Sequence, residues 1–209
     1  MLRIYGRANS INVRKVLWIA DELGLAYERE DWGRGFRPTS EPAFARVSPF
    51  GVVPVVDDDG FILRESNTIV RYLAAKHGRA DLYPQDAKAR ARVEQWMDWA
   101  NYETSISLRG AFLGGMLNEP PWNNPWFIEQ GRRQISKEVG QLDRHFTAAK
   151  TPYVAGATFT VADIPIGLVV NRWFSLNNFE RPAYPAVAGY YDRLGERPAY
   201  RRHVRNGLP

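Results

Sequence analysis

Hydrophobic periodicity changes character once along this chain, near Tyr83-Pro84, and that change limits it to two unlike parts. Before that point strand and helix signals alternate. "LRIY" reads as a short strand. "NVRKVLWIADELGL" then carries Val13, Val16, Leu17, Ile19, Ala20 and Leu23 at helical spacing, with Gly24 as its stop. "AYERED" is a second strand, followed by an irregular loop through Pro38 and Pro42. "VVPVV", an Asp-Asp-Gly turn and "FILR" read as a hairpin, and "SNTIVRYLAAK" as a closing helix. The order β-α-β, loop, β-β-α predicts a compact mixed sheet with helices packed on it. After Tyr83 only helical patterns follow: one long run from Asp86 to Leu117, a second from Trp126 to Ala149, a third around "TVADIPIGLVVNRWFSL" and two shorter ones. The expected division is an α/β domain over 1–78, a linker over 79–86 and an all-α domain over 87–209.

The 209 residues suffice for two small domains with real cores. A formal charge of +5 is scattered along segments such as "KARAR" and "YRRHVR". Solvated helix faces account for it. A nucleic-acid partner, which needs a clustered basic patch, is not expected, whereas a small anionic ligand suits the excess. There is no cysteine, so disulfides, thiolate metal sites and a protein-borne redox thiol are excluded. Any sulfur chemistry must use a thiol carried by the ligand. "MLRIYGRANS" has no signal-peptide apolar core and no run approaches membrane-spanning length, so a cytoplasmic protein without membrane association is the expectation. His77, His145 and His203 are isolated and predict no metal site; GxSxG, P-loop and HExxH motifs are missing.

Two residues of "VPVVDDDGFILRES" are unusual. Pro54 interrupts a strand pattern although proline removes a ladder donor. One explanation is a cis Val53-Pro54 bond at a sheet edge, which frees the Val53 backbone to pair with an extended peptide ligand; the other is an edge proline with no task. Glu65-Ser66 stands where a helix begins. Either Ser66 is an N-cap, or the helix start receives a ligand carboxylate while Glu65 accepts an ammonium. A site for both groups implies an amino-acid-like ligand.

With these residues in view, "SPFGVVPVVDDDGFILRESNTIVRYLAAK" resembles the glutathione-binding segment of the glutathione transferases, in particular bacterial serine-type members similar to the phi, theta and nu classes. The resemblance spans the chain and implies a thioredoxin-like N-terminal domain with an all-α C-terminal domain. It includes "FTVADIPIG", similar to the family's capping motif, with Thr160 as N-cap, Asp163 as its N3 partner and Phe159–Ile164 as a staple. It implies glutathione as co-substrate, no further cofactor, a homodimer with Phe50 as a candidate subunit contact, and a role in detoxification. Val53, Pro54, Glu65 and Ser66 would hold glutathione. "SINVRK" resembles the family's Ser-x-Asn-x-x-Arg/Lys pattern, so Ser10 would donate to the thiolate; Asn12 is the competing donor, and either residue could instead merely cap the first helix. Tyr5 lies inside a strand and is a poor donor.

The sequence departs from the pattern at Val52, where several relatives carry Gln or Arg. The glycine carboxylate of glutathione must then find Arg34, Arg37 or Arg46, of which Arg37 falls nearest the position of a family loop cation. A small hydrophobic electrophile is expected between the halves, near Trp99, Tyr102, Ile106 and Arg109, which recur at helical spacing; any single one of them could equally be core. Trp96 reads as core or subunit contact. The implied activity is conjugation of the glutathione thiolate to electrophiles or reduction of peroxides. The alternatives are a disulfide reductase using two glutathiones and a non-catalytic scaffold.

Overall fold

A computed structural model describes residues 1–177 and 179–207. Among the described residues the chain divides into two compact units: 1–84 joined by 199–207, and 85–198. Among the described residues no helix is long and apolar enough to cross a membrane.

The first unit is built on four strands, β1 (Leu2–Tyr5), β2 (Tyr27–Glu30), β3 (Val55–Asp58) and β4 (Phe61–Arg64), in the order β2-β1-β3-β4. β1 runs parallel to β2 and antiparallel to β3, with Ile4 opposite Val56 and Tyr5 opposite Val55. Its helices are α1 (Ile11–Glu22), α2 (Pro42–Ala45) and α3 (Ser66–Lys76). Alternation along β1 and β3 and the 3.6 period of α1 and α3 send Ile4, Val56, Val16, Ile19, Ile69 and Leu73 into one core.

The proline puzzle resolves differently from the sequence expectation. The Val53–Pro54 bond is cis, but β3 is an interior strand, flanked by β1 and β4. Pro54 lies just ahead of Val55, the first ladder residue, so no ladder donor is lost and no sheet edge is required. Val53 packs against a buried cluster of Tyr5, Trp32, Phe44 and Val55, in which Trp32 and Phe44 meet at 5.2 Å. That cluster anchors the loop carrying Val53.

The second unit contains α4 (Ala87–Leu108), a π-helical segment (Arg109–Gly114), α5 (Pro125–Ala149), α6 (Asp163–Ser175) and α7 (Pro185–Gly195). The long run expected to continue to Leu117 stops being α-helical at Leu108. Three glycines give the reason. A Cβ on Gly110 would sit 2.0 Å from the Phe127 carbonyl oxygen, one on Gly114 2.0 Å from that of Trp122, and one on Gly131 2.4 Å from the Ala111 nitrogen. The backbones of the π segment and α5 therefore touch, at a distance no side chain permits. Gly110→Ala is expected to destabilise the protein by about 1–3 kcal/mol through overpacking. A lowered urea midpoint with unchanged slope checks this.

The last helix, α8 (Pro198–His203), returns to the first unit. Tyr200 is fully buried with its ring 4.8 Å from that of Trp18, and Arg202 and His203 both reach the Asp21 carboxylate, at 2.8 and 2.9 Å. The aromatic contact explains why a short, arginine-rich helix docks at all.

Candidate active site

Ser10 occupies the N-cap position of α1, with extended backbone (φ −83°, ψ 127°). Its N–H donates to the Arg7 carbonyl and its own carbonyl accepts from Arg14. Its hydroxyl makes no capping bond, although the residue is only 8% exposed. The side chain is therefore not engaged in holding the helix, and the plain capping role foreseen for it does not occur.

Two positions on, Asn12 ties α1 to the start of α3. Its Oδ1 accepts from the Ser66 hydroxyl at 3.3 Å, and Lys15 Nζ donates to the same Ser66 oxygen at 3.4 Å. Lys15 is buried, unusual for a lysine. It went unnoticed as a site residue in the sequence, although it is the basic member of the Ser-x-Asn-x-x-Arg/Lys pattern. The trio Asn12, Ser66 and Lys15 locks the N-terminal turns of α1 and α3 to one another. Two sets of unbonded backbone N–H groups then start close together, and both are attractive to anions.

Ser66 is the first residue of α3 and not its N-cap; Glu65 takes that position. Glu65 adopts φ 68°, ψ 107°, a left-handed region costly for a residue with a side chain, by about 1–3 kcal/mol. Its carbonyl accepts from Ile69 at 2.9 Å, and its carboxylate makes no capping bond. The carboxylate is exposed at the helix start. Val53 and Pro54 lie at the head of β3, whose Val55 pairs with Arg64 in β4, the residue before Glu65. Ladder register thus brings the Val53-Pro54 corner and the Glu65-Ser66 pair to the same end of the sheet.

Arg37 is already paired with acidic side chains. Its guanidinium lies 3.0 Å from Glu41 and 3.8 Å from Glu30 and stacks 3.8 Å over the Trp32 ring. Arg46, at the end of α2, has no carboxylate partner among the described residues.

On the second unit Trp99, Tyr102 and Ile106, three of the four residues expected near an electrophile, separate. Trp99 is half-buried beside Trp96, and the two line a groove of about 460 Å³ with Gln141, Arg144 and His145. Tyr102 and Ile106 are 83% and 72% exposed, so neither is core. His145 bonds the Val154 carbonyl at 2.9 Å. Among the described residues no group of three or more His, Asp or Glu side chains could hold a metal ion.

The start of α6 carries a second polar cluster, which is structural. Asp163 is fully buried and accepts from the Val154 N–H (3.0 Å), the Thr160 N–H (2.9 Å), the Tyr190 hydroxyl (2.9 Å) and the Thr160 hydroxyl (3.4 Å). The reciprocal half of the expected capping box is present in the Thr160 N–H bond. The N-cap position itself falls on Ala162, and the Thr160 hydroxyl turns to Asp163 instead of capping the helix. Phe159 packs against Tyr153 and under Arg197.

Comparison with known proteins agrees with this architecture. Residues 4–81 match the family model described as "Glutathione S-transferase, N-terminal domain". The chain is 36% identical over 206 residues to glutathione S-transferase GstB of Escherichia coli K12, covering 98% of both proteins. It is 28% identical to the disulfide-bond oxidoreductase YfcG of the same organism, covering 90% of this chain and 87% of that one. Among solved structures, the theta class glutathione S-transferase from Xanthomonas axonopodis pv. citri with glutathione bound superposes with a TM-score of 0.87 at 38% identity, covering 100% and 99% of the two chains. The chain belongs to the glutathione S-transferase family, with a thioredoxin-like N-terminal domain and a helical C-terminal domain.

Proposed function

We propose that the chain is a glutathione transferase whose first unit binds glutathione at the joined N-termini of α1 and α3. The observation that carries this reading is the Ser10 hydroxyl: nearly buried, at a helix start, and not engaged in capping. The Val53 backbone, outside the ladder, pairs with the cysteinyl backbone of the ligand. Glu65 accepts its ammonium, and Ser66 with the α3 N-terminus receives the γ-glutamyl carboxylate. For the glycine carboxylate Arg46 is unpaired, whereas Arg37 must exchange Glu30 or Glu41 for the ligand.

Ser10 then donates to the sulfur and favours thiolate over thiol. Lowering a thiol pKa from about 8.5 by ~2 units needs about 2.7 kcal/mol. A hydroxyl donating to an anion contributes about 1.5–3 kcal/mol, and the helix terminus about 0.3–1 kcal/mol. The hydroxyl and helix start are together sufficient without a general base. Asn12 keeps an amide NH2 as a second donor. The thiolate adds to a small hydrophobic electrophile, forming a C–S bond as the leaving group departs or as a proton reaches the adjacent carbon. With a hydroperoxide it attacks the O–O bond and a second glutathione completes the reduction. The functional setting is cytoplasmic detoxification by a homodimer, for which exposed Phe50, Val52, Phe61 and Ile62 offer apolar contact area. Retention on immobilised glutathione and elution by the free tripeptide test the binding; passage without retention would refute it.

A second reading, reduction of disulfides by two glutathiones, is favoured by the oxidoreductase relative and by a chain that has no cysteine of its own. It predicts faster turnover of a small mixed disulfide than of any aryl halide.

Glu65→Ala is expected to weaken glutathione binding far more than folding. Truncating one partner of a charge pair that the bound ligand buries costs about 2–5 kcal/mol, whereas loss of a carboxylate that is exposed without ligand costs folding about 0.5 kcal/mol at most. Calorimetry on the folded variant measures this, and unchanged affinity would remove Glu65 from the site.

A further inference from the structure

Ser10 is delivered to its place by a short turn. The Gly6 and Arg7 N–H groups donate to the Glu30 and Trp32 carbonyls, at 2.8 and 3.1 Å. Ala8 and Asn9 then form an exposed turn, which the Ser10 N–H closes on the Arg7 carbonyl at 3.1 Å. Arg14, one turn into α1, meets this segment twice. Its backbone N–H donates to the Ser10 carbonyl at 2.9 Å, and its side-chain Nε donates to the Ala8 carbonyl at 3.1 Å. The carbonyls on either side of Asn9 are thus both fixed by one residue.

Arg14 is only 2% exposed, a rare place for a guanidinium. Burial and the like charge of Arg7 both lower its pKa, so its charge is kept out of water at a cost that a methionine would not carry. The residue also lies on a packed face. Arg14, Trp18 and Asp21 stand at i, i+4 and i+7 of α1. α8 covers that face with Tyr200 on Trp18 and with Arg202 and His203 on Asp21. A buried cation tied to an exposed turn is poorly explained by stability alone. It is explained if the turn must hold Ser10 still. We infer that Arg14 is a positioning residue for the thiolate donor: its Nε–H, through the Ala8 carbonyl, orients the Ser10 hydroxyl toward the glutathione sulfur. The hydrogen bond does this, not the charge. The inference rests on the role proposed for Ser10. A misplacement of about 1 Å can cost on the order of 100-fold in rate, and a loosened turn displaces the hydroxyl without removing it, so the effect is smaller than that of Ser10→Ala.

Three substitutions in the full chain separate donor from charge, read by titrating the thiolate absorbance of bound glutathione. Arg14→Met removes both. Arg14→Lys keeps the charge but puts a methylene where Nε stands. Arg14→Gln gives up the charge and keeps an N–H at the same point along the side chain. The Met and Lys variants are expected to raise the bound-thiol pKa by roughly 0.5–1 unit and to lower the rate near pH 7 about twofold to threefold. Arg14→Gln should restore most of both. Glutathione affinity near about pH 5, where the thiol is protonated, should stay within about twofold in all three, because the groups that dock the tripeptide are untouched. The Lys variant keeps the comparison open if the Met variant fails to fold. A Gln variant shifted as far as the Lys variant overturns the inference, as do Met and Lys variants that titrate like the unaltered protein. Lost affinity with no change in pKa also overturns it and marks Arg14 as merely structural. Ser10→Ala is titrated alongside. If it moves the pKa and the Arg14 variants do not, the positioning role is wrong and the transferase reading stands. If Ser10→Ala moves nothing either, the role of Ser10 is refuted and that of Arg14 falls with it.

Discussion

Asp163→Ala is expected to destabilise the protein by about 3–5 kcal/mol, a large part of the ~5–15 kcal/mol by which a domain is stable. The carboxylate is fully buried and gathers donors from three places: the Val154 N–H, the Thr160 N–H and hydroxyl, and the Tyr190 hydroxyl of α7. Removing it leaves several buried donors without an acceptor, each costing about 1–3 kcal/mol less any water that enters. Tyr190→Phe, which deletes one donor and strands none, should cost only about 1 kcal/mol. The pH dependence is specific. Burial, opposed by the four donors, pushes the Asp163 pKa up from 3.8 to about 6. The folded state therefore holds the proton more tightly than the unfolded chain. Its contribution is full below about pH 4 and is lost as pH rises through about 6. The stability gap between the unaltered protein and Asp163→Ala, from urea unfolding at a series of pH values, should be widest near pH 4 and narrow toward pH 7. A gap that widens with pH would show that the donors outweigh burial.

The second large effect is on the chemistry. Ser10→Ala should lower the rate near pH 7 by roughly 10–100-fold, with partial recovery as pH rises and more of the bound thiol ionises unaided. Because the hydroxyl makes no capping bond, this substitution should leave stability nearly unchanged. A serine engaged as an N-cap would instead cost about 1 kcal/mol when truncated. Asn12→Ala should behave differently: it breaks the Ser66 contact and loosens the α1–α3 junction, so its effect falls on glutathione affinity as well as on rate.

Local signals in the sequence carried the secondary structure of the first unit well. The "LRIY" and "FILR" strands and the α1 pattern appear within a residue or two of where periodicity puts them. What misled was non-local. "VVPVV" looks like one strand broken by proline, yet the ladder begins after Pro54, because partner register and not local propensity sets where pairing starts. Strand order, which makes β3 interior, cannot be read from alternation. The apolar run through "RGAFLGGML" continues helical periodicity without showing that close backbone contact with α5 converts it to a π segment; the glycines were its only trace. Tyr200 docks on Trp18 across most of the chain length, so the allegiance of α8 is likewise a tertiary fact.

The site divided in the same manner. That Ser10, Asn12, Glu65 and Ser66 stand at helix starts was legible from local pattern, and the roles proposed for them rest on the family resemblance. Lys15 was hidden by the rule that lysines face solvent; only packing brings its ammonium to the Ser66 oxygen. Arg37 was chosen by position along the loop, and its pairing with Glu30 and Glu41 depends on how that loop folds over Trp32. Helical spacing grouped Trp99 with Tyr102 and Ile106, but spacing does not say which face is covered, and the Trp99 side packs toward α5 while the others stand open.

The central claim, that the Ser10 hydroxyl holds glutathione as a thiolate, is tested most directly by titrating thiolate absorbance of the bound tripeptide. The unaltered complex should ionise with a pKa roughly 2 units below the free thiol value of about 8.5. Ser10→Ala should raise that pKa by roughly 1–2 units, since about 1.5–3 kcal/mol of charged hydrogen bonding is lost. If Ser10→Ala leaves the titration where it was while Asn12→Ala moves it upward, the donor is the asparagine and the serine assignment is wrong.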